Sequence, residues 1–279
     1  MINSIAYRLV SLTLAIGFLL LACVPQRSKP GPGLPVEQKG AEGRVILTIL
    51  YDNNRYDRRL TAAWGFACLV NLRHKVVLFD TGGDGAVLLH NMEKLKINPE
   101  EIGVVVLSHV HGDHVGGLAR FLEWNSRVAV YMPASFPQQM KQAVIAAGAN
   151  LEEVDEAQEL FGGVFTTGEL DGGIREQSLV LRTPKGLVVI TGCAHPGIVK
   201  IAKKAKDIAR GEVYLLVGGF HLAGASTSHV VRIVESLRQF GVVKVAPCHC
   251  SGAVARRLFE ECFGDDYIDC GVGKRIVVE

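Results

Sequence analysis

The sequence predicts an α/β fold in which two mixed β-sheets face each other and helices cover their outer sides, an αββα sandwich. From residue 44 onward, short β-rich runs alternate with runs that place apolar residues at helical spacing. The chain falls into two halves, and each half places strands before helices. The polar motifs stand where predicted strands end, which is where open α/β sheets hold their functional groups.

Each element is predicted by its apolar pattern and by the turn residues that bound it. In the first half, we expect strands at 44–51, 66–72, 75–80, 104–108 and 127–132, and helices at 85–97, 116–124 and 135–148. The middle of the chain is rich in strands, of which the clearest are 178–182 and 186–191. Beyond them, we expect helices at 197–210, 229–241 and 252–263, alternating with strands at 213–219, 242–247 and 275–279.

Composition is that of an ordinary globular protein and gives no sign of a nucleic-acid partner. The chain has 279 residues, 48% of them hydrophobic, and a net charge of +2. It lacks arginine-rich blocks and a pattern of aromatic residues for base stacking. A small-molecule substrate is therefore expected, and nucleic acid is not.

The N-terminus is predicted to be an export signal rather than part of the fold. A single positive charge at Arg8 precedes an apolar run, 9–22, that is short for a membrane span. LLAC at 20–23 resembles a bacterial lipobox, which implies lipidation of Cys23 and a membrane-anchored lipoprotein on the periplasmic or cell-surface side. An uncleaved membrane anchor and a plain secretory signal are the alternatives. Residues 24–43 are rich in Pro, Gly and charge, as in a tether, so the folded domain is placed at 44–279.

Three histidines and an aspartate lie within six residues directly after the predicted strand 104–108. At the end of a strand, residues i and i+2 point the same way, so His109 and His111 can reach one point. Gly112 permits a turn, after which Asp113 and His114 can face a second point. Such donors suit Zn, Mn or Fe, and two such points fit a two-metal site about 3.5–4 Å across. A polar loop with hydrogen-bonded histidines is the simpler alternative.

This stretch resembles the H-x-H-x-D-H signature of the metallo-β-lactamase superfamily, and the resemblance covers nearly all of 44–279. FDTGG at 79–83 resembles the first motif of that superfamily, in which the aspartate (here Asp80) mainly supports the site. Further motifs resemble a branch that includes archaeal enzymes of a dihydropterin condensation step: YDN (51–53), WGF (64–66), EQSLV (176–180), TGCAHPG (191–197), GGFHL (218–222) and PCHCSG (247–252). The resemblance implies two divalent metal ions, with zinc expected first and manganese or iron as alternatives.

The sequence departs from the superfamily at two expected ligand positions. Where most members have another histidine, this chain has Glu176, and where they have a bridging aspartate it has Cys193. His195, two residues further on, is expected to take the vacant histidine position, and His249 stands where the superfamily has its last histidine ligand. The expected sets are His109, His111 and His195 around one ion, and Asp113, His114 and His249 around the other. Cys193 either bridges the ions as a thiolate or packs in the core.

His221 and Asp113 are the candidate catalytic residues, with Asp113 also a ligand. His221 ends a predicted strand at the same rim, so it can act as an acid for the leaving group, a substrate contact or a further ligand. Trp64 either lines the pocket or packs in the core. For Cys248 and Cys250, an extended strand predicts packing or a disulfide rather than a place in the site. The pairing of the six cysteines after Cys23 cannot be deduced from sequence.

Three functions fit the sequence. The first is an exported metallohydrolase that cleaves a small ester-like substrate, phosphoesters foremost, with water activated as hydroxide by two metal ions. The second is a condensing transferase of the dihydropterin type, in which the metals bind a diphosphate leaving group. The third is a non-catalytic, metal-binding or ligand-sensing lipoprotein. Export counts against the second, and the complete H-x-H-x-D-H motif counts against the third.

Overall fold

The computed structural model describes residues 43–279, which form two facing mixed sheets with helices on both outer sides. The predicted αββα sandwich is therefore confirmed. In spatial order the first sheet contains β13 (Arg275–Val278), β1 (Val45–Tyr51), β2 (Ala67–Asn71), β3 (Val76–Phe79), β4 (Val104–Val106), β5 (Ala129–Pro133) and β6 (Asn150–Val154). The second contains β12 (Lys244–Cys248), β11 (Val213–Gly219), β10 (Gly186–Thr191), β9 (Leu179–Thr183), β8 (Val164–Thr166) and β7 (Gln158–Phe161).

Each sheet has a parallel part and an antiparallel part. The strands from β3 to β6 run parallel in the first sheet, as do β10, β11 and β12 in the second. The remaining pairs are antiparallel, including the pairing of β1 with β13. Because parallel neighbours end at the same edge, the loops after β3, β4, β10, β11 and β12 are the ones available to build a site.

The apolar runs of the inner strands are continuous because both faces of these strands are buried. In β10, Val188 and Ile190 pack in the core between the sheets, whereas Leu187 and Val189 pack against the outer helices. This alternation follows from the period of two residues in a strand. Three buried layers result, one between the sheets and one beneath each layer of helices.

The outer helices divide evenly between the two sheets. Those on the first sheet are α1 (Gly85–Lys94), α3 (Leu118–Trp124) and α4 (Gln138–Ala146), and those on the second are α5 (Ile198–Ala209), α6 (Thr227–Gln239) and α7 (Ala253–Phe263). A further short helix, α2 (Gly112–Val115), was not predicted from the sequence. It begins inside the histidine motif, so Asp113 and His114 belong to a helical turn rather than to a loop.

Two of the differences between predicted and observed element bounds have identifiable reasons. The helix predicted at 229–241 begins earlier, at Thr227, because the Ser226 hydroxyl oxygen accepts from the backbone N–H of His229 and caps the helix. The helix predicted at 85–97 ends at Lys94, and Lys96 turns the chain with a φ of +58°. Neither change moves a candidate site residue.

The predicted export signal (1–23) and nearly all of the predicted tether (24–43) lie outside the described residues. The division into signal, tether and domain therefore stays a prediction. Within residues 43–279, the helices are all too short or too polar to cross a membrane.

Candidate metal centre

The polar motifs meet at one rim of the sandwich, where five strands end. Asp80 follows β3 and His109 follows β4, while Ala194, His221 and His249 follow β10, β11 and β12. All of these except His109 have a left-handed backbone, with φ between +47° and +58°. Non-glycine residues rarely adopt this conformation, and where it occurs it is concentrated at functional sites. The sharp turns redirect the chain so that side chains from both sheets converge.

The first group of side chains contains His109, His111 and His195, as predicted. The Ser108 hydroxyl donates to Asp80 (Oγ to Oδ2, 2.7 Å), so its oxygen is left to accept from His109 Nδ1 at 2.9 Å. His109 Nε2 then carries a lone pair and lies 3.1 Å from His111 Nδ1. The ring centroid of His195 lies 4.8 Å from that of His109 and 5.0 Å from that of His111. His195 Nε2 is buried without a hydrogen-bond partner.

The second group contains His114, His249 and Asp113, also as predicted. Asp80 Oδ2 accepts from His114 Nδ1 at 2.7 Å, and Asn53 Oδ1 accepts from His249 Nδ1 at 3.0 Å. Each imidazole therefore presents the lone pair of its Nε2, and these two nitrogens lie 3.2 Å apart. Asp113 Oδ2 lies 3.2 Å from His249 Nε2 and 3.6 Å from His114 Nε2.

The YDN and FDTGG motifs are explained by the way they support these imidazoles. Asp52 accepts from the backbone N–H of His249 at 2.9 Å, and Asn53 holds the ring. Asp80 accepts from His114 and from both the N–H and the hydroxyl of Ser108. Asp80 therefore contacts His114 directly and His109 through Ser108. Carboxylate and amide partners of this kind fix the tautomer and orientation of histidines that bind metals.

Cys193 lies between the two groups and belongs to both. Its Sγ is 3.2 Å from His114 Nε2. It forms one potential metal-binding set with His109 and His195, and another with His114 and His249. The sulfur therefore occupies the place of a shared ligand.

The spacing of these atoms fits metal coordination. Tetrahedral zinc with bonds of about 2.0–2.3 Å places its ligand atoms about 3.3–3.8 Å apart. The contacts that join His114, His249, Asp113 and Cys193 measure 3.2 to 3.6 Å. Two nitrogen lone pairs facing each other repel unless a proton or cation lies between them. The partnerless His195 Nε2 needs the same compensation.

Glu176 does not point into the site. Its Oε1 accepts from the Thr191 hydroxyl at 3.0 Å and from the N–H groups of Cys193 and Ala194 at 2.9 Å, while Oε2 accepts from the N–H of His195 at 2.8 Å. The carboxylate thus holds the turn 191–195 from behind. The sequence left open whether Glu176 or Cys193 replaces the missing ligand, and the geometry places Cys193 in the site and Glu176 beneath it.

Cys250 also lies at the site, whereas the sequence predicted packing or a disulfide for it. That expectation assumed an extended chain, but β12 ends at Cys248 and the chain turns at His249 into a 3₁₀ turn, His249–Ser251. Cys250 Sγ contacts the carbonyl oxygen of Cys193 at 3.6 Å and groups with Cys193 and His221. Cys248 packs in the core between the sheets. The six cysteines of the described residues are all free thiols.

Two side chains mark the open side of the site. His221 is exposed, and its ring centroid lies 4.4 Å from that of His195. Trp64 is 58% exposed with its ring centroid 4.9 Å from that of His249. Trp64 therefore lines the rim rather than the core, and a ligand can approach between these two aromatic rings.

Burial and neighbouring charges favour the neutral forms of His109 and His195. Burial, followed by the nearby imidazoles, lowers the pKa of His109 far below its usual range, and burial together with His221 lowers the pKa of His195 to about 4. For His114, burial opposes the charged form, but the carboxylate of Asp80 raises the pKa overall. Burial opposes the ionised form of Asp113, yet the contact with His249 lowers its pKa. Neutral imidazoles and an ionised carboxylate are the forms that bind metal.

The chain is similar to several known proteins. The model of the metallo-beta-lactamase superfamily matches residues 65–249. A 7,8-dihydropterin-6-methyl-4-(beta-D-ribofuranosyl)-aminobenzene-5'-phosphate synthase of Methanocaldococcus jannaschii is 29% identical over 280 residues, covering 83% of this chain and 95% of the relative. The solved structure of Tm1679, a metal-dependent hydrolase of the beta-lactamase superfamily, is 28% identical with a TM-score of 0.71, covering 83% of this chain and 98% of that one.

A third comparison concerns the fold alone. The metallo-beta-lactamase fold protein YhfI from Bacillus subtilis has a TM-score of 0.63 at 14% identity, covering 85% of this chain and 100% of that one. An αββα sandwich with a histidine-rich rim defines a class of metal-binding α/β proteins. Because the family model spans most of the chain and ends at His249, this chain belongs to the metallo-β-lactamase superfamily.

Proposed function

We propose that the chain is a metal-dependent hydrolase of a small phosphoester-like substrate, with two divalent ions held at the rim. The first ion would be held by His109, His111 and His195, and the second by Asp113, His114 and His249, with Cys193 shared. The observation that carries the proposal is the position of Cys193 between two groups of facing lone pairs. When bound, such ions polarise the phosphoryl group and make water nucleophilic near neutral pH.

Residues of the chain orient the imidazoles, act on the leaving group and cover the substrate. Asp80, Ser108 and Asn53 hold the imidazoles in one tautomer through their Nδ1 hydrogens. His221, on the exposed side, protonates the leaving oxygen or holds it by a hydrogen bond. Trp64, at the other edge, covers one side of the substrate and limits the access of bulk water. Zinc is the first choice of metal because the set combines imidazole, carboxylate and thiol groups.

A condensing transferase of the dihydropterin type is the second candidate, and the named archaeal synthase at 29% identity favours it. In that reaction the same rim would bind a diphosphate leaving group, and the attacking atom would belong to a second substrate instead of water. Tm1679, at 28% identity with 98% of its chain covered, favours the hydrolase. The two reactions differ in the nucleophile, so a product assay separates them.

The hydrolase proposal is tested by loading the full chain with zinc or manganese and assaying bis(p-nitrophenyl) phosphate alongside a lactone, a β-lactam and a thioester. We expect phosphodiester hydrolysis that disappears on chelation and returns with metal. His249→Ala should retain about half of the metal of the parent, because only one of the two ligand groups is disrupted. Elemental analysis measures this.

His229→Ala is the matched control, since His229 is an exposed histidine on α6, and it should keep the metal and activity of the parent. Unchanged metal content in His249→Ala would remove His249 from the site. A fully metallated parent that hydrolyses none of these substrates but joins a pterin diphosphate to an arylamine would replace the hydrolase with the transferase. Binding of a pterin or nucleotide without turnover would favour the non-catalytic sensor.

We also propose that the protein is exported and anchored by a lipid on Cys23. The support is the apolar run ending in LLAC and the Pro/Gly-rich stretch that follows. Cys23→Ser should release the protein from membranes or block its processing, as measured by fractionation and by the mass of the mature chain. If this variant is processed normally and stays in the membrane fraction, the lipoprotein proposal is wrong.

A further inference from the structure

Cys193 and Cys250 lie together although they come from strands that are not neighbours. Cys193 follows β10 and Cys250 follows β12, and β11 lies between these strands. The two cysteines can approach each other across β11 because Gly219, at the end of that strand, has no side chain. A Cβ at this position would lie 2.6 Å from Cys250 Sγ and 3.2 Å from the Cα of Cys193, and it would also strike the carbonyl oxygen of Gly192.

The two thiols lie close together. Their sulfur atoms and a ring nitrogen of His221 all lie within 4.8 Å of one another. Cys250 Sγ already contacts the backbone of Cys193 at 3.6 Å. Both residues are buried, but His221 beside them is exposed. A small oxidant therefore has a short path to this pair, whereas a large one does not.

We propose that Cys193 and Cys250 form a reversible disulfide in the metal-free protein, and that this disulfide and metal binding exclude each other. The second part rests on the proposed role of Cys193 as a shared ligand. A sulfur bonded to Cys250 has no thiolate charge to offer a metal ion. Oxidation would thus withdraw one ligand from both groups at once, and bound metal would protect the pair from oxidation.

Hydrogen peroxide is an oxidant small enough to reach this buried pair. The sulfur of Cys250 attacks one oxygen of the peroxide, the O–O bond breaks, and a sulfenic acid and one water form. The sulfur of Cys193 then attacks the sulfur of Cys250, the S–O bond breaks, and a second water leaves with the thiol hydrogen. Two thiols lose two electrons in all, and one peroxide is reduced to two waters.

The test uses the full chain, first stripped with a chelator and then divided into a metal-free and a zinc-loaded sample. Both are treated with stoichiometric hydrogen peroxide, their free thiols are alkylated, and their peptides are mapped by mass spectrometry. We expect a peptide pair joined through Cys193 and Cys250 in the metal-free sample, lost on treatment with dithiothreitol and strongly reduced in the zinc-loaded sample. After oxidation the chain should lose most of its zinc uptake, and reduction should restore it.

Cys262→Ser is the matched control because Cys262 is the one thiol of the described residues that is not fully buried, and this variant should form the same linkage. Cys250→Ser should form none. A linkage that joins only another pair of cysteines overturns the inference, and so does equal linkage with and without zinc in a chain that is shown to bind zinc. If the parent binds no metal yet still links Cys193 to Cys250, the proposed function fails while the disulfide stands. If it binds metal but never forms the linkage, the disulfide fails alone.

Discussion

His221→Ala is expected to lower kcat by about 10²–10⁴-fold, the usual cost of removing a general acid, while the metal content stays that of the parent. His221 is exposed at the rim beside His195, and it groups with Cys193 and Cys250 rather than with the six proposed ligands. Its loss therefore removes a proton donor without removing a ligand. Single-turnover kinetics and elemental analysis of the same preparation measure the two effects.

A substrate with a good leaving group gives this prediction a second readout. The p-nitrophenolate group needs little protonation, so the defect of His221→Ala should be smaller with it than with an alkyl phosphoester. His229→Ala again serves as the control for the loss of an imidazole. An empty metal site in His221→Ala would make His221 a ligand, and the acid would have to be sought elsewhere.

Glu176→Ala is expected to lower the free energy of unfolding by about 3 kcal/mol or more, because it leaves three buried N–H groups without an acceptor at roughly 1–3 kcal/mol each. The carboxylate is buried, and Thr191 and the backbone of 193–195 depend on it. Cys193 and His195 belong to this turn, so metal affinity should fall as well, by about 10–100-fold as for other supporting partners of metal ligands. Urea denaturation of the metal-free chain and a zinc titration measure these quantities.

Glu176→Gln separates the contribution of the carboxylate to stability from its contribution to metal affinity. The amide keeps one acceptor oxygen of the same size, so the variant should fold with a smaller loss of stability and still bind zinc more weakly than the parent. Glu235→Ala is the matched control, since Glu235 is exposed on α6 and a substitution there should change stability by less than about 0.5 kcal/mol. Parental zinc affinity in both Glu176 variants would show that the turn keeps its shape without the carboxylate.

Much of the fold and of the candidate metal centre could be predicted from the sequence, because local sequence patterns determine them. The apolar periods predicted the inner strands. The structure also brings His109 and His111 together, but β4 ends at Val106, so both residues lie beyond the end of the strand. The places of His195 and His249 followed from the resemblance, and the structure brings both to the rim.

What the sequence did not show depends on contacts between distant segments. The support of His249 by Asp52 and Asn53 joins positions almost 200 residues apart. Glu176 is buried by its hydrogen bonds to the turn 191–195. The approach of Cys250 to Cys193 depends on a turn at His249 with a φ of +47°. Apolar periodicity does not predict such a turn. Glycines can mark a close approach of the backbone, and two of them belong to this region: Gly219 at the end of β11 and Gly252 directly after the 3₁₀ turn.

The pairing of β13 with β1 has a consequence for how the protein is made. β1 opens the described fold, yet it obtains its second neighbour only from Arg275–Val278, some 230 residues later in synthesis. Until those residues leave the ribosome, β1 is an exposed edge, and such edges invite pairing with other chains. We therefore expect nascent chains to stay prone to aggregation until β13 has left the ribosome. A tag fused directly behind residue 279 would then lower soluble yield more than the same tag separated by a flexible spacer.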